Sequence, residues 1–291
     1  MLNKLILGTV QLGVNYGINN AQGKPSLEKS LEILNLAHDN GIRTLDTAEA
    51  YGSSIDVIGE FHKQYPNKKF RIISKLTADI SSSTKDLSSH IFQSLKVLNI
   101  EQLYGYMFHN YNSFKQNINY YDELLNLKSK GLISHIGISL YTNDEIIDIA
   151  ENFSDFDFIQ IPFNLLDNDL KRKEAILKAK SRGFSIHTRS TFLQGLFFIN
   201  PNTLRDNLRP LKPYLNKIEK IKSYYNLTTE SLALQYVMQK DYINHVLIGV
   251  ETSEQLINNI NLLKAESVIP HSEIDKLNVS ENHLLNPNNW H

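Results

Sequence analysis

Leu27-Glu-Lys-Ser-Leu31-Glu-Ile-Leu34-Asn-Leu-Ala37-His-Asp-Asn40-Gly41-Ile42-Arg-Thr-Leu45-Asp46 contains one complete step from helix to strand. Leu27, Leu31, Leu34 and Ala37 recur at helical spacing, Asn40-Gly41 is a helix stop, and Ile42–Leu45 is a short apolar strand run. Glycine suits the stop because the residue just past a helix commonly takes left-handed backbone. The same punctuation recurs at Lys130-Gly131 and Arg182-Gly183, each just ahead of another strand-like run.

Working outward, the strand runs are Leu5–Val10, Ile42–Leu45, Phe70–Ser74, Leu103–Phe108, Ile133–Ile138, Phe158–Ile161, Phe184–His187 and Val246–Ile248. Helical spacing fills 54–65, 84–98, 117–130, 143–152, 169–181, 228–240 and 253–265. Strands separated by single helices run parallel, and eight such units close into an α/β barrel, the (β/α)8 TIM barrel. A doubly wound open sheet is the rival, and no G-x-G-x-x-G follows the first strand to support it. The stretch 190–215, with Pro201, Pro210 and Pro213, shows no periodic apolar stripe and reads as a long loop after strand seven. The short C-terminal tail 281–291 has too little apolar content to pack alone. No linker or low-complexity segment divides the chain, so residues 1–291 are expected to form one domain.

Thirty basic against 31 acidic residues leave a net charge of −1 and no electrostatic reason to expect nucleic acid or an anionic membrane. The absence of cysteine excludes disulfides, thiolate nucleophiles and cysteine-ligated zinc. No apolar run approaches the roughly 18 residues that span a bilayer, and the opening Met1–Gly8 is too short for a secretory leader. The expectation is a cytoplasmic protein, monomeric or weakly homo-oligomeric.

Four polar side chains close or follow apolar runs: Asp46, Tyr51 five residues on in a glycine-containing loop, Lys75 and His109. In a barrel these come together at the C-terminal mouth. A tyrosine, with an ordinary pKa of about 10, becomes a useful acid when positive charge or hydrogen bonding tunes it. Lys75 beside Tyr51 would lower its pKa, Asp46 would hold the lysine, and His109 would orient a carbonyl oxygen. With 14 tyrosines in the chain, Tyr51 alone would read as a packing residue; the ordered set of four reads as chemistry. His135 and His187 have no metal-ligand spacing and read as barrel-wall residues, and no metal is expected. Arg205 and Arg209 read as solvated, with an anionic substrate group as their functional alternative.

The run Arg43-Thr-Leu-Asp46-Thr-Ala-x-x-Tyr51-Gly, then Lys75 and Leu103-Tyr-Gly-Tyr-Met-Phe-His109, resembles the Asp, Tyr, Lys and His tetrad of the aldo-keto reductase superfamily over nearly the whole chain. The resemblance implies hydride transfer from NADP(H), bound in extended form, to an aldehyde or ketone. It also implies Ser139 and Gln160 as carboxamide contacts, the latter from Ile-Gln-Ile-Pro-Phe-Asn164. Arg189, Ser190, Gln194, Gly195 and Leu196 correspond to the strand-seven pyrophosphate loop. Gly249, Thr252, Ser253, Gln255 and Asn259 correspond to the segment holding the adenosine 2′-phosphate. Three positions depart: Leu140 replaces the usual asparagine, Arg189 takes the place of an aromatic stacked on the nicotinamide, and Ile55 replaces a glutamate. Glu251, with no Lys or Arg between 241 and 263, would repel a 2′-phosphate, so NAD is the alternative cofactor. Residues 11–20 and the 190–215 loop should line the pocket, and their mixed polar and aromatic character suits a sugar derivative. Two alternatives are an NAD-dependent sugar dehydrogenase of the same fold and a weakly catalytic cofactor-binding regulatory subunit.

Overall fold

The computed structural model describes residues 2–76, 87–265 and 267–290. Its strands are β1 (Leu5–Gly8), β2 (Thr44–Asp46), β3 (Arg71–Leu76), β4 (Leu103–Phe108), β5 (Ile133–Ser139), β6 (Phe158–Pro162), β7 (Ser185–Arg189) and β8 (His245–Gly249). Each pairs in parallel with the next, and β8 returns to β1 with Gly8 opposite Gly249, closing the barrel. The expected (β/α)8 architecture is therefore the observed one.

The longer helices are α1 (Leu27–Asp39), α2 (Ser54–Gln64), α3 (Leu87–Leu98), α4 (Asn119–Ser129), α5 (Asn143–Asn152), α6 (Asp169–Ser181), α7 (Lys212–Tyr224), α8 (Thr229–Met238) and α9 (Ser253–Lys264). Their starts follow from capping chemistry, which gives otherwise unsatisfied backbone N–H groups an acceptor. Ser26 accepts from Lys29 N ahead of α1, and Thr142 with Glu145 forms a reciprocal capping box on α5. The main core lies between the outer helices and the barrel wall, where Leu34 and Ala37 of α1 and Ile58 and Phe61 of α2 are fully buried.

Two local expectations change, and the tail finds a surface to pack on. The first strand stops at Gly8, because Thr9 turns the chain into a short helix, Val10–Gly13, while its N–H and Oγ1 both donate to Asp46 O. The stretch 190–215 is not an open loop. Short 3-10 turns at Leu193–Phe198, Pro201–Thr203 and Asp206–Leu211 bury Leu193, Leu196, Phe197, Leu208 and Leu211, and α7 begins within it at Lys212. The tail also packs: Leu284, Leu285 and Trp290 are buried, and the Trp290 indole N–H donates to Leu284 O at 2.8 Å. Residues 84–86 of the expected helix 84–98 lie outside the described residues. Among the described residues no helix is long and apolar enough to cross a membrane.

Inside the barrel, Ile6, Ile73, Met107 and Phe158 form a separate apolar cluster. A Cβ on Gly137 would stand 2.3 Å from the Phe158 ring, so glycine there lets that ring occupy the barrel axis. Phe158 stacks on His187 at 4.5 Å, and His187 meets His245 edge to face at 4.7 Å. Nearby, the Tyr104 and His135 rings lie 4.6 Å apart, with the Arg71 guanidinium over Tyr104.

This layer makes folding sensitive to acid. Burial holds His187 and His245 below the ordinary histidine value; the His245 and His135 charges reinforce this at His187, while at His245 a backbone hydrogen bond with Lys4 opposes it and the Arg71 and Lys4 charges reinforce it. The unfolded chain then binds protons that the native state refuses. Stability is fully present above about 6.5 and falls as pH drops through that value toward the lowered folded-state pKa values. Urea midpoints should therefore decline between about pH 7.5 and about pH 5. A flat midpoint across that window would remove the histidine layer as the cause.

Candidate active site

Asp46 ends β2 and Lys75 is the fifth residue of β3, and the parallel register carries both to the C-terminal mouth. Both are buried. Lys75 Nζ donates to Asp46 Oδ1 in a close ion pair and to Thr47 O at 2.9 Å. Asp46 Oδ2 accepts from Gln160 Nε2 at 2.8 Å, so the carboxylate is held from β3 and from β6. That second contact is not foreseeable from sequence, since it joins strands on different sides of the barrel.

Tyr51 stands in the loop between β2 and α2. Lys75 Nζ lies 5.0 Å from its ring centroid, and His109, directly after β4, lies 6.2 Å away centroid to centroid at an interplanar angle of 82°. The loop approaches the segment after β1 so closely that a Cβ on Gly13 would fall 1.7 Å from Tyr51 O. Behind it, Tyr106 donates to Glu49 Oε1 at 2.5 Å and His90 Nε2 lies 2.8 Å from the same oxygen, tying the loop to β4 and α3.

The electrostatics depart from expectation at one point. Burial, followed by the Asp46 charge, pushes Tyr51 well above the ordinary tyrosine range, with Arg189 acting in the opposite direction. The expectation that Lys75 would lower it is not met, because the lysine charge is compensated by Asp46 in contact. Burial lowers Lys75, against the pull of Asp46. Burial and the Lys75 charge bring His109 down to about 4, which leaves a neutral imidazole at pH 7 able to donate one N–H.

These residues open on a cavity of about 1100 Å³. Asp46, Tyr51, Lys75 and His109 line it together with Ser139 and Gln160. Across the mouth stand Arg189, Ser190, Gln194 and Gly195, then Gly249, Gln255 and Asn259. Leu196, Thr252 and Ser253 do not. Leu196 is buried in the main core, and Thr252 caps α9 by accepting from Gln255 N, with Ser253 the first residue of that helix. Their places are taken by Leu193, Glu251 and Asn258.

Both expected loops reach the cavity, through Gln11, Tyr16, Asn19 and Asn20 and through Phe192 and Phe198. Ser190, Leu193 and Gln194 hold φ of 63°, 45° and 53°, and Ile18 N donates to Gln194 O at 3.0 Å, so the two loops are locked together. Sequence reasoning missed Tyr141, Asn286 and Asn288. Asn288 Nδ2 donates to Tyr141 OH at 3.3 Å, bringing the chain's end to the wall. Arg205 and Arg209 do not line the cavity, and Arg209 pairs with Asp206 in solvent.

A dinucleotide suits this cavity on chemical grounds. Gln11 Oε1, on a lining residue, is buried without a hydrogen-bond partner among the described residues and can accept from the cofactor.

The aldo/keto reductase family model matches residues 4–280. The chain is similar to the NADH-specific methylglyoxal reductase of Escherichia coli K12, 23% identical over 298 residues that cover 90% of each protein. Among solved structures it is similar to the aldo-keto reductase AKR11C1 from Bacillus halodurans in its holo form. That likeness has a TM-score of 0.76 and 21% identity, covering 97% of this chain and 95% of that one. A closed barrel with a buried Lys-Asp pair, a tyrosine and a histidine at one mouth, matched along nearly all of its length, belongs to the aldo/keto reductase family and is an oxidoreductase with that family's NAD(P)(H)-dependent chemistry.

Proposed function

We propose that this enzyme reduces an aldehyde or ketone to an alcohol, with Tyr51 as proton donor. The observation carrying the reading is the grouping of Tyr51, His109 and the buried Lys75–Asp46 pair on one cavity. When bound, NAD(P)H supplies a hydride to the carbonyl carbon. Tyr51, held protonated at neutral pH by burial, donates its proton to the carbonyl oxygen as negative charge grows there. The neutral His109 donates a hydrogen bond to the same oxygen and aligns it. Lys75, anchored by Asp46, packs its Nζ 5.0 Å from the Tyr51 ring centroid and positions that ring.

Ser139, Gln160, Ser190, Gln194, Gly195, Gly249, Gln255 and Asn259 are the proposed cofactor contacts. Glu251 bears on cofactor choice: its side chain accepts from Gln255 Nε2 at 3.2 Å and stays in the segment matched to 2′-phosphate binding. This favours NADH, as does the name of the Escherichia coli relative; the superfamily resemblance favours NADPH. A hydroxylated substrate, a sugar derivative among them, is supported by the amides of Asn19 and Asn112 on the lining, whereas the Asn20 and Asn110 side chains hold local turns.

Titration with NADH and with NADPH, followed by nicotinamide fluorescence, should give saturable binding of at least one, tighter for NADH. Addition of methylglyoxal or a nitrobenzaldehyde should then consume the reduced cofactor. Folded protein that binds neither dinucleotide would sink the reading.

A further inference from the structure

Arg189 ends β7 and brings to the cavity a cation that is paired with no acid among the described residues. Its guanidinium carbon lies 4.1 Å from the centroid of the Tyr141 ring. Stacking engages the flat face of the group and leaves its in-plane N–H donors free. Nη1 reaches only Ser190 Oγ, at 3.4 Å, and Nη2 is buried with no hydrogen-bond partner among the described residues. No ion pair among the described residues includes Arg189.

Of the acids on the cavity lining, Glu230 forms no ion pair with Arg189 among the described residues, and the other three are engaged elsewhere. Asp46 holds Lys75 and Gln160. Glu145 Oε2 accepts from Tyr141 N and Thr142 N. Glu251 is tied to Gln255. Arg189 as a whole is half-buried, but a charged N–H donor withdrawn from water without an acceptor is costly, and the planar fork matches a planar oxyanion in two-point contact. The support is itself fixed, since Tyr141 OH accepts from Asn288 and Tyr141 O accepts from Arg172 Nη2 at 2.7 Å.

We propose that Arg189, braced by Tyr141, binds the carboxylate of an acidic carbonyl substrate, a keto acid or a sugar acid, while its carbonyl oxygen faces Tyr51 and His109. This rests on the reductase reading and adds the substrate class to it. It gives Arg189 a role beyond the cofactor contact expected of its position. The closeness of the three groups is consistent with the downward influence of the Arg189 charge on both Tyr51 and His109.

The test compares matched carbonyls, butanal against succinic semialdehyde and glucose against glucuronate, in the wild type, Arg189→Gln and Arg189→Lys. The wild type should prefer the acid in each pair. The acid-to-neutral ratio of kcat/KM should fall by about 10- to 100-fold in Arg189→Gln, the range of one charge-assisted pair, with Arg189→Lys between. The ratio cancels any effect on the dinucleotide.

The cofactor diphosphate is the other possible source of an oxyanion. An unchanged ratio with weakened binding of NADH and NADPH assigns the anion to the cofactor and overturns the proposal. Turnover of neutral carbonyls with no preference for acids overturns it while leaving the reductase reading intact. Calorimetric binding of 4-hydroxybutanoate against butanol reads the site without chemistry. Acid-selective binding abolished in Arg189→Gln, in protein that turns over neither carbonyl, keeps the anion site and removes the reductase reading. No acid-selective binding overturns the proposal.

Discussion

Tyr51→Phe should lower kcat/KM for carbonyl reduction by about a thousandfold, within the range of a single positioned general acid. The loss should fall mainly on kcat, because the ring remains to pack beside Lys75 while the proton is gone. At about 1.4 kcal/mol for each decade, the effect amounts to roughly 4 kcal/mol of transition-state stabilisation. A parallel fluorescence titration with the dinucleotide separates lost chemistry from lost binding. Full turnover by the phenylalanine variant would refute Tyr51 as the donor and direct attention to His109, which remains within reach of the same cavity.

Lys75→Met should cost about 3–5 kcal/mol of stability besides activity, because it leaves Asp46 buried without its ion-pair partner. Gln160 still donates to Asp46 Oδ2, which places the expected loss toward the lower end of that range. Pairing the change with Asp46→Asn removes the stranded charge and should recover much of the stability while turnover stays lost. Urea unfolding of the single and double variants checks both parts. A single-variant loss under about 1 kcal/mol would mean that the carboxylate relaxes into water, and would end the description of a rigid buried pair.

The barrel was legible because parallel strands covered on both faces appear as continuous apolar runs, as in Leu103–Phe108, which spans the same residues in sequence and structure. The glycines at 41, 131 and 183 follow α1, α4 and α6, with φ of 91°, 76° and 93°. α7 was missed although Leu215, Ile218 and Ile221 form its buried stripe. Pro213, taken as loop punctuation, is instead tolerated in the first turn, where no N–H donor is needed. A short helix at Tyr111–Gln116 was likewise overlooked, its start fixed by Asn110 accepting from Ser113 N.

Asp46, Tyr51, Lys75 and His109 could be found because each sits at or beside a strand end, where register alone decides who meets whom. The Gln160–Asp46 bond and the Arg189–Tyr141 stack could not. Both depend on side-chain directions across the mouth, which strand spacing does not encode. The tail was undervalued for a similar reason: Leu284, Leu285 and Trp290 are few, but the barrel supplies the surface on which they pack.

Phe158 packs with Ile6, Ile73 and Met107 inside the barrel, where only a glycine at position 137 leaves room for its ring. An interior filled to this density has no slack for even one added methyl group. Growth of Gly137 to alanine would therefore be felt as a displaced aromatic ring and a disturbed stack on His187, so a side chain this protein does without sets the arrangement of those around it.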